Sequence, residues 1–155
     1  MTTRPEIGWR IDANGVGTNY LEAGDGSPVV LVHGSGPGVS AFANWRLTIP
    51  ALSAEHRVLA PDMAGFGFSD KPGQYGMERW LDQLDGFLTA LGLAKVSLVG
   101  NSFGGGLALA FAARWPERVD KLVLMGSVGI SFPLTDGLDA VWGYEPSIEN
   151  MRGIL

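Results

Sequence analysis

The 155-residue sequence contains no cysteine and only two histidines, His33 and His56. The first absence excludes a disulfide framework and any thiolate metal site, and the second leaves too little imidazole for a zinc cluster, so a protein without cofactor or metal is expected. No apolar run is long enough to cross a bilayer, and the opening stretch MTTRPEIGWRID lacks the basic-then-apolar pattern of a signal peptide. A cytoplasmic protein is therefore expected. Positive charge is also scarce. Eleven Lys and Arg stand against sixteen Asp and Glu, net −5, with no long run of either sign; this removes the electrostatic footprint of a nucleic-acid or membrane partner and leaves a small molecule or another protein.

What is present is enough apolar material, 46% of residues, for one compact core. The 23 glycines cluster at 34–38, 65–67 and 104–106, where they read as tight turns between patterned segments. Two short strands, Ile7 to Asp12 and Val16 to Glu22, are separated by Ala-Asn-Gly, a hairpin turn sequence. Val29 to Val32 is a continuous β-branched and leucine run of the kind buried on both faces of a parallel sheet. A helix is predicted over Phe42 to Glu55, with Pro50 kinking or ending it, followed by a strand at Arg57 to Ala60. Apolar residues recur at helical spacing from Met77 to Leu91, with Gly92 as the stop. A strand at Val96 to Val99, a helix from Phe103 to Trp115 ended by Pro116, and a strand at Lys121 to Met125 complete the pattern. Strand alternating with helix after a hairpin defines an α/β architecture, a mostly parallel open sheet that binds ligands beyond the carboxyl ends of its strands.

Three loops meet that edge, and one carries Gly100-Asn101-Ser102-Phe103-Gly104 between an apolar strand and a helix. This is Gly-x-Ser-x-Gly in the context where it means a nucleophile elbow: a sharp turn exposes the serine at a helix N-terminus, where unpaired N–H groups favour a developing oxyanion. A turn that serves packing or phosphate binding is the plain alternative, but neither Gly-Lys-Ser/Thr nor Gly-x-Gly-x-x-Gly is present. The loop Leu31 to Gly38, LVHGSGPG, leaves a central strand where the second oxyanion donor belongs. The backbone N–H groups of Ser35 and Phe103 are the expected hole.

HGSGPGVSAFANW, PDMAGFGFSDKP, GNSFGGG and LVLMGSVG together resemble the α/β-hydrolase fold and, within it, the meta-cleavage product hydrolases, which cleave a carbon–carbon bond in 2-hydroxy-6-oxo-hexa-2,4-dienoate compounds during aromatic degradation. The Ser-Gly-Pro-Gly loop with Asn44-Trp45 downstream, and Asn101 before the serine, carry the resemblance to the subfamily. It implies Ser102 as nucleophile, with Gly34, Ser35, Gly36, Asn44 and Asn101 around the dienoate end of a small-molecule substrate. Neutral amides suit a carboxylate or enol oxygen because they do not titrate; Asn44 also fits a turn or cap role. The resemblance further implies a core over residues 1–129 and the start of a helical lid over 130–155.

A serine hydroxyl needs a base. His56 precedes its strand and is expected roughly 13 Å from Ser102, at the opposite edge of the sheet. His33 sits at the correct edge, where the resemblance makes it a buried support of the oxyanion loop rather than the general base. By the same resemblance Asp136 and Asp139 fall in the run into the lid, and neither looks like the triad acid. The chain is accordingly expected to stop inside the lid, without the last sheet strands or the triad Asp and His: either it is a fragment, or the missing half is supplied by a complementing C-terminal segment or another chain, a homo-oligomer included. A carboxylesterase on the same fold and a catalytically inert binding module remain the alternatives.

Overall fold

The computed structural model describes residues 4–129 continuously and, beyond them, 131, 133, 135–137, 139, 147–149 and 152. Among the described residues six strands form one sheet: β1 (Trp9–Ala13), β2 (Val16–Ala23), β3 (Ser27–Val32), β4 (His56–Pro61), β5 (Val96–Asn101) and β6 (Val119–Met125), in the order β1-β2-β4-β3-β5-β6. β2 pairs antiparallel with β1 and β4, and all pairings from β4 to β6 are parallel. Asn14 and Gly15 turn the N-terminal hairpin with φ of 52° and 79°, the paired positive values that match the twist of the flanking strands.

The β3 run is buried on both faces, and its alternation assigns each residue to a layer. Val30 and Val32 pack with Leu59, Leu84, Phe87, Leu98 and Phe111, under helices α3 (Met77–Ala90) and α4 (Phe103–Arg114). Val29 and Leu31 pack with Val58, Ala60 and Trp45 on the other face, under α1 (Ala41–Trp45) and α2 (Ile49–Leu52). Period-2 alternation in a doubly covered strand has this consequence: every side chain is apolar, and neighbours serve different cores.

The single helix expected over Phe42 to Glu55 is two short ones. Pro50 lies in the first turn of α2 rather than ending a longer helix, because a residue without an N–H costs nothing where the N–H has no intrahelical acceptor. The lid expected over 130–155 lies mostly outside the described residues, as do Trp142 and Tyr144. Among the described residues β6 is the last strand of the sheet on its side, and Val123, Leu124 and Met125 are exposed there.

Phe87 is fully buried between α3 and the sheet and meets the Tyr20 ring edge-on at 5.2 Å. Phe87→Ala is expected to lower the unfolding free energy by about 3–5 kcal/mol, read from the shift of a denaturant midpoint; a loss under about 1 kcal/mol would mean that this layer is not the core.

Candidate functional site

The carboxyl ends of β3, β4, β5 and β6 share one edge of the sheet. β5 ends at Asn101 and α4 begins at Phe103, so Ser102 alone makes the connection. Its backbone sits at φ 53°, ψ −116°, a region that costs a side-chain-bearing residue on the order of 1–3 kcal/mol. The surroundings hold it there. The Ser102 N–H donates to the Met125 carbonyl at 2.8 Å, and the Ser102 carbonyl accepts from the N–H groups of Gly105, Gly106 and Val128 at 3.0, 3.2 and 3.2 Å. A methyl on Gly100 would collide with the Gly104 backbone, and one on Gly104 with the carbonyls of Val32 and His33. Strand and helix therefore meet backbone to backbone, which is the physical reason for a glycine on either side of the serine.

The loop after β3 is tied to this turn through one oxygen. Asn44 Oδ1, on α1, accepts from the Gly34 N–H at 2.8 Å and from Asn101 Nδ2 at 3.1 Å. Asn44 is thus neither a cap, a task Ser40 performs through Ala43 N, nor free to offer its carbonyl to a ligand. Only its Nδ2 remains for that. Gly34 is buried, Ser35 and Gly36 are exposed, and Asn101, Ser102 and Phe103 are half-buried.

His33 is fully buried. Its Nε2 accepts from the Met63 N–H at 2.9 Å, which places the ring proton on Nδ1, where it donates to the Gly34 carbonyl at 2.6 Å. Burial lowers its pKa below the ordinary 6.5, against smaller opposing effects of the Gly34 hydrogen bond and the Asp62 charge. With both nitrogens engaged it has no lone pair for a serine proton. His56 opens β4 and bonds Ser27 Oγ at 2.9 Å, at the amino edge of the sheet. Neither histidine serves Ser102. Asp136 and Asp139 are exposed. Among the described residues no three His, Asp or Glu side chains are placed to hold a metal ion.

The sequence did not single out Asp62, at the end of β4. Its carboxylate is fully buried and accepts from Ala41 N at 2.6 Å, Asn19 Nδ2 at 2.9 Å and Phe68 N at 2.8 Å. It therefore joins the start of α1, the second strand and the 65–68 loop at one point. The readable signal was an aspartate directly after an apolar strand, and a glutamine, Gln83, within the buried face of α3. The Phe103 ring packs against Phe66 at 5.9 Å and Trp80 at 4.7 Å. An open cleft of about 730 Å³ is bounded by the 36–40 and 65–68 segments, with Arg46 and Lys71 among its lining; Ser102 does not line it.

A strained serine between strand and helix, with a glycine loop from the neighbouring strand clamped beside it, is the arrangement of an α/β hydrolase. The chain belongs to the alpha/beta hydrolase fold family, which it matches over residues 27–144. It is 62% identical over 152 residues to the 2-hydroxy-6-oxo-2,4-heptadienoate hydrolase of Pseudomonas putida, covering 97% of this chain and 55% of that protein. It is 58% identical to the 2-hydroxymuconate semialdehyde hydrolase of Pseudomonas sp. strain CF600, covering 97% and 54%. A solved meta-cleavage product hydrolase from Pseudomonas fluorescens IP01 superposes with a TM-score of 0.83 at 60% identity, over 96% of this chain and 56% of that one. The chain spans about half the length of these relatives. Among the described residues no helix is long and apolar enough to cross a membrane.

Asp62→Ala strands two buried donors, Ala41 N–H and Asn19 Nδ2, and the partly buried Phe68 N–H; at about 1–3 kcal/mol for each buried donor left unsatisfied, it is expected to destabilise by at least about 2 kcal/mol in chemical denaturation, and Asp62→Asn, which retains one acceptor oxygen, should lose less. The buried His33 makes stability pH-dependent. The unfolded chain takes up a proton at its ordinary 6.5 and the folded one only at lower pH, so the unfolded state binds more protons in that window and stability falls as pH drops below 6.5. Thermal midpoints measured between about pH 7 and about pH 5 should decline, and His33→Gln should flatten that slope; an unchanged slope would count against a neutral, buried His33.

Proposed function

We propose that this chain carries the nucleophile and the oxyanion hole of a hydrolase that cleaves a carbon–carbon bond in 2-hydroxy-6-oxo-hexa-2,4-dienoate compounds. The observation that carries the reading is the position of Ser102: a strained elbow at the N-terminus of α4, beside a loop that a single asparagine oxygen couples to it. The names of the relatives supply the substrate class. Ketonisation of the dienol precedes addition of Ser102 Oγ, or of water, to the C6 carbonyl. The negative charge on that oxygen is then met by the N–H groups of Ser35 and Phe103, in a site where fixed dipoles need no reorganisation. Ketonisation places the proton on C5, so collapse of the adduct breaks the C5–C6 bond and sends its electron pair through the C3=C4 bond to the C2 oxygen, where the dienolate takes up a proton; C6 leaves as a carboxylic acid when water has added, or stays as an ester on Ser102 that a water molecule then hydrolyses to the acid. Gly34, Gly36 and Asn101, with the free amide nitrogen of Asn44, line the dienoate end. Phe103 keeps its backbone in place through the Phe66 and Trp80 rings. Residues 130–155 begin the lid.

A second reading concerns the proton. Both histidines are engaged in structural hydrogen bonds, so the base that activates Ser102 comes from a complementing segment or a second chain, and the 155-residue chain by itself is inert.

Two assays test these readings together. The protein that carries these residues should bleach the absorbance of a coloured 2-hydroxy-6-oxo-dienoate and hydrolyse a simple aryl ester more slowly, with Ser102→Ala lowering dienoate turnover by at least about a thousandfold. Ester turnover with no dienoate turnover would replace the reading with a carboxylesterase. Ser102-dependent turnover by the isolated 155-residue chain would overturn the inert-chain reading.

A further inference from the structure

The hydrogen bonds around His33 all run in one direction. Asn19 N–H donates to Ser69 Oγ at 2.9 Å, and Ser69 Oγ donates to the Asp62 carbonyl at 2.6 Å. Gln83 Nε2 donates to the same carbonyl at 3.2 Å. That carbonyl shares its peptide with the Met63 N–H, which donates to His33 Nε2 at 2.9 Å. His33 Nδ1 then donates to the Gly34 carbonyl at 2.6 Å, and the Gly34 carbonyl shares its peptide with the Ser35 N–H. Asp62, Ser69, Gln83 and His33 are all buried.

Two physical effects converge on the last member. A trans peptide is planar, with its C=O and N–H pointing in opposite directions, so the bond that fixes the Gly34 carbonyl also aims the Ser35 N–H. The preceding peptide is pinned through Gly34 N–H to Asn44 Oδ1, and with both neighbours held the backbone freedom of a glycine at 34 is removed. Secondly, a carbonyl that accepts a hydrogen bond makes the N–H of its own peptide a stronger donor, and an imidazole that accepts at one nitrogen donates more strongly from the other. In a buried chain these effects accumulate at roughly 10–30% per bond.

Support of this loop by His33 is what the resemblance already implies; we propose that the relay behind it, running from Ser69 and Gln83 through the Asp62–Met63 peptide to His33, sets the direction and the donor strength of the Ser35 N–H, and that Ser69 and Gln83 are positioning residues for the oxyanion hole, acting through His33. The inference rests on the reading of Ser35 as an oxyanion donor. It predicts that the tautomer of a buried histidine and a hydroxyl on a separate loop control the reaction without touching substrate.

The test uses paired substitutions and a readout that needs no turnover. In 15N-labelled wild-type protein at neutral pH, His33 should show a protonated Nδ1 and an unprotonated Nε2; the opposite tautomer or an imidazolium would overturn the proposal. His33→Asn keeps a donor near the position of Nδ1, whereas His33→Gln keeps an acceptor near that of Nε2. The Ser35 amide proton should move upfield in His33→Gln and in Ser69→Ala, and much less in His33→Asn. With dienoate as substrate, His33→Gln should lower kcat roughly tenfold at unchanged KM, while His33→Asn stays within about threefold of wild type. Equal kcat losses in the two variants, or losses that follow their thermal midpoints, would reduce His33 to a packing residue. If the protein that carries these residues together with its complementing segment shows no Ser102-dependent turnover while the tautomer and the amide shifts are as expected, the hydrolase reading fails and the relay stands.

Discussion

The buried carboxylate of Asp62 is the constraint on which the site depends. A charge in a dry interior is tolerable only when its oxygens are satisfied by several donors, and the donors that Asp62 finds belong to three segments far apart in sequence: Asn19, Ala41 and Phe68. The need to solvate one carboxylate therefore sets the path of the β3–α1 connection, the start of α1 and the loop after β4 at once. Because α1 is placed, Asn44 is placed, and because Asn44 is placed, the Gly34 loop and Asn101 share an oxygen. The order around Ser102 is inherited from a group that has no contact with it in the hydrogen-bond network described above.

The second organising feature is the amount of backbone that meets backbone. Polar main-chain groups at the strand ends must find partners when buried, and here they find one another: Ser102 N–H to the Met125 carbonyl, and Val128 N–H to the Ser102 carbonyl. The glycines of the elbow let β5, α4 and the end of β3 approach closely enough for such contacts. A strained serine is stable because its energetic cost is spread over several bonds from two elements. This also explains why the two histidines behave so differently from what a count of catalytic residue types suggests. One is consumed in holding a peptide plane and the other in joining the first residues of two adjacent strands.

Much of the scaffold was legible because periodicity reports burial directly. The β3 run of Val29 to Val32 has no polar residue because both faces are covered, and Leu81, Leu84, Phe87 and Leu88 recur on the face of α3 that packs on the sheet. The elbow was legible for a different reason: strand, glycine, serine, glycine and helix are contiguous, so local sequence contains the whole device. Where the reading missed, the cause was local too. The stretch after Phe42 has helical composition, and only the geometry shows that Pro50 opens a second helix.

The sequence by itself determined the layers of the sheet, the position of Ser102 between glycines, and the exclusion of His56, because each follows from spacing along one strand or one turn. It could not reveal the role of Asp62, the oxygen that Asn44 shares between Gly34 and Asn101, or the proton location on His33. Each of those depends on which groups from other segments are brought within hydrogen-bond distance, and partnership across 21 to 57 residues of chain, as between Ala41 and Asp62, Met63 and His33, Asn19 and Asp62, or Asn101 and Asn44, has no periodic signature. Only the packed tertiary structure, where an unpaired buried polar group is costly, decides which partner each group takes.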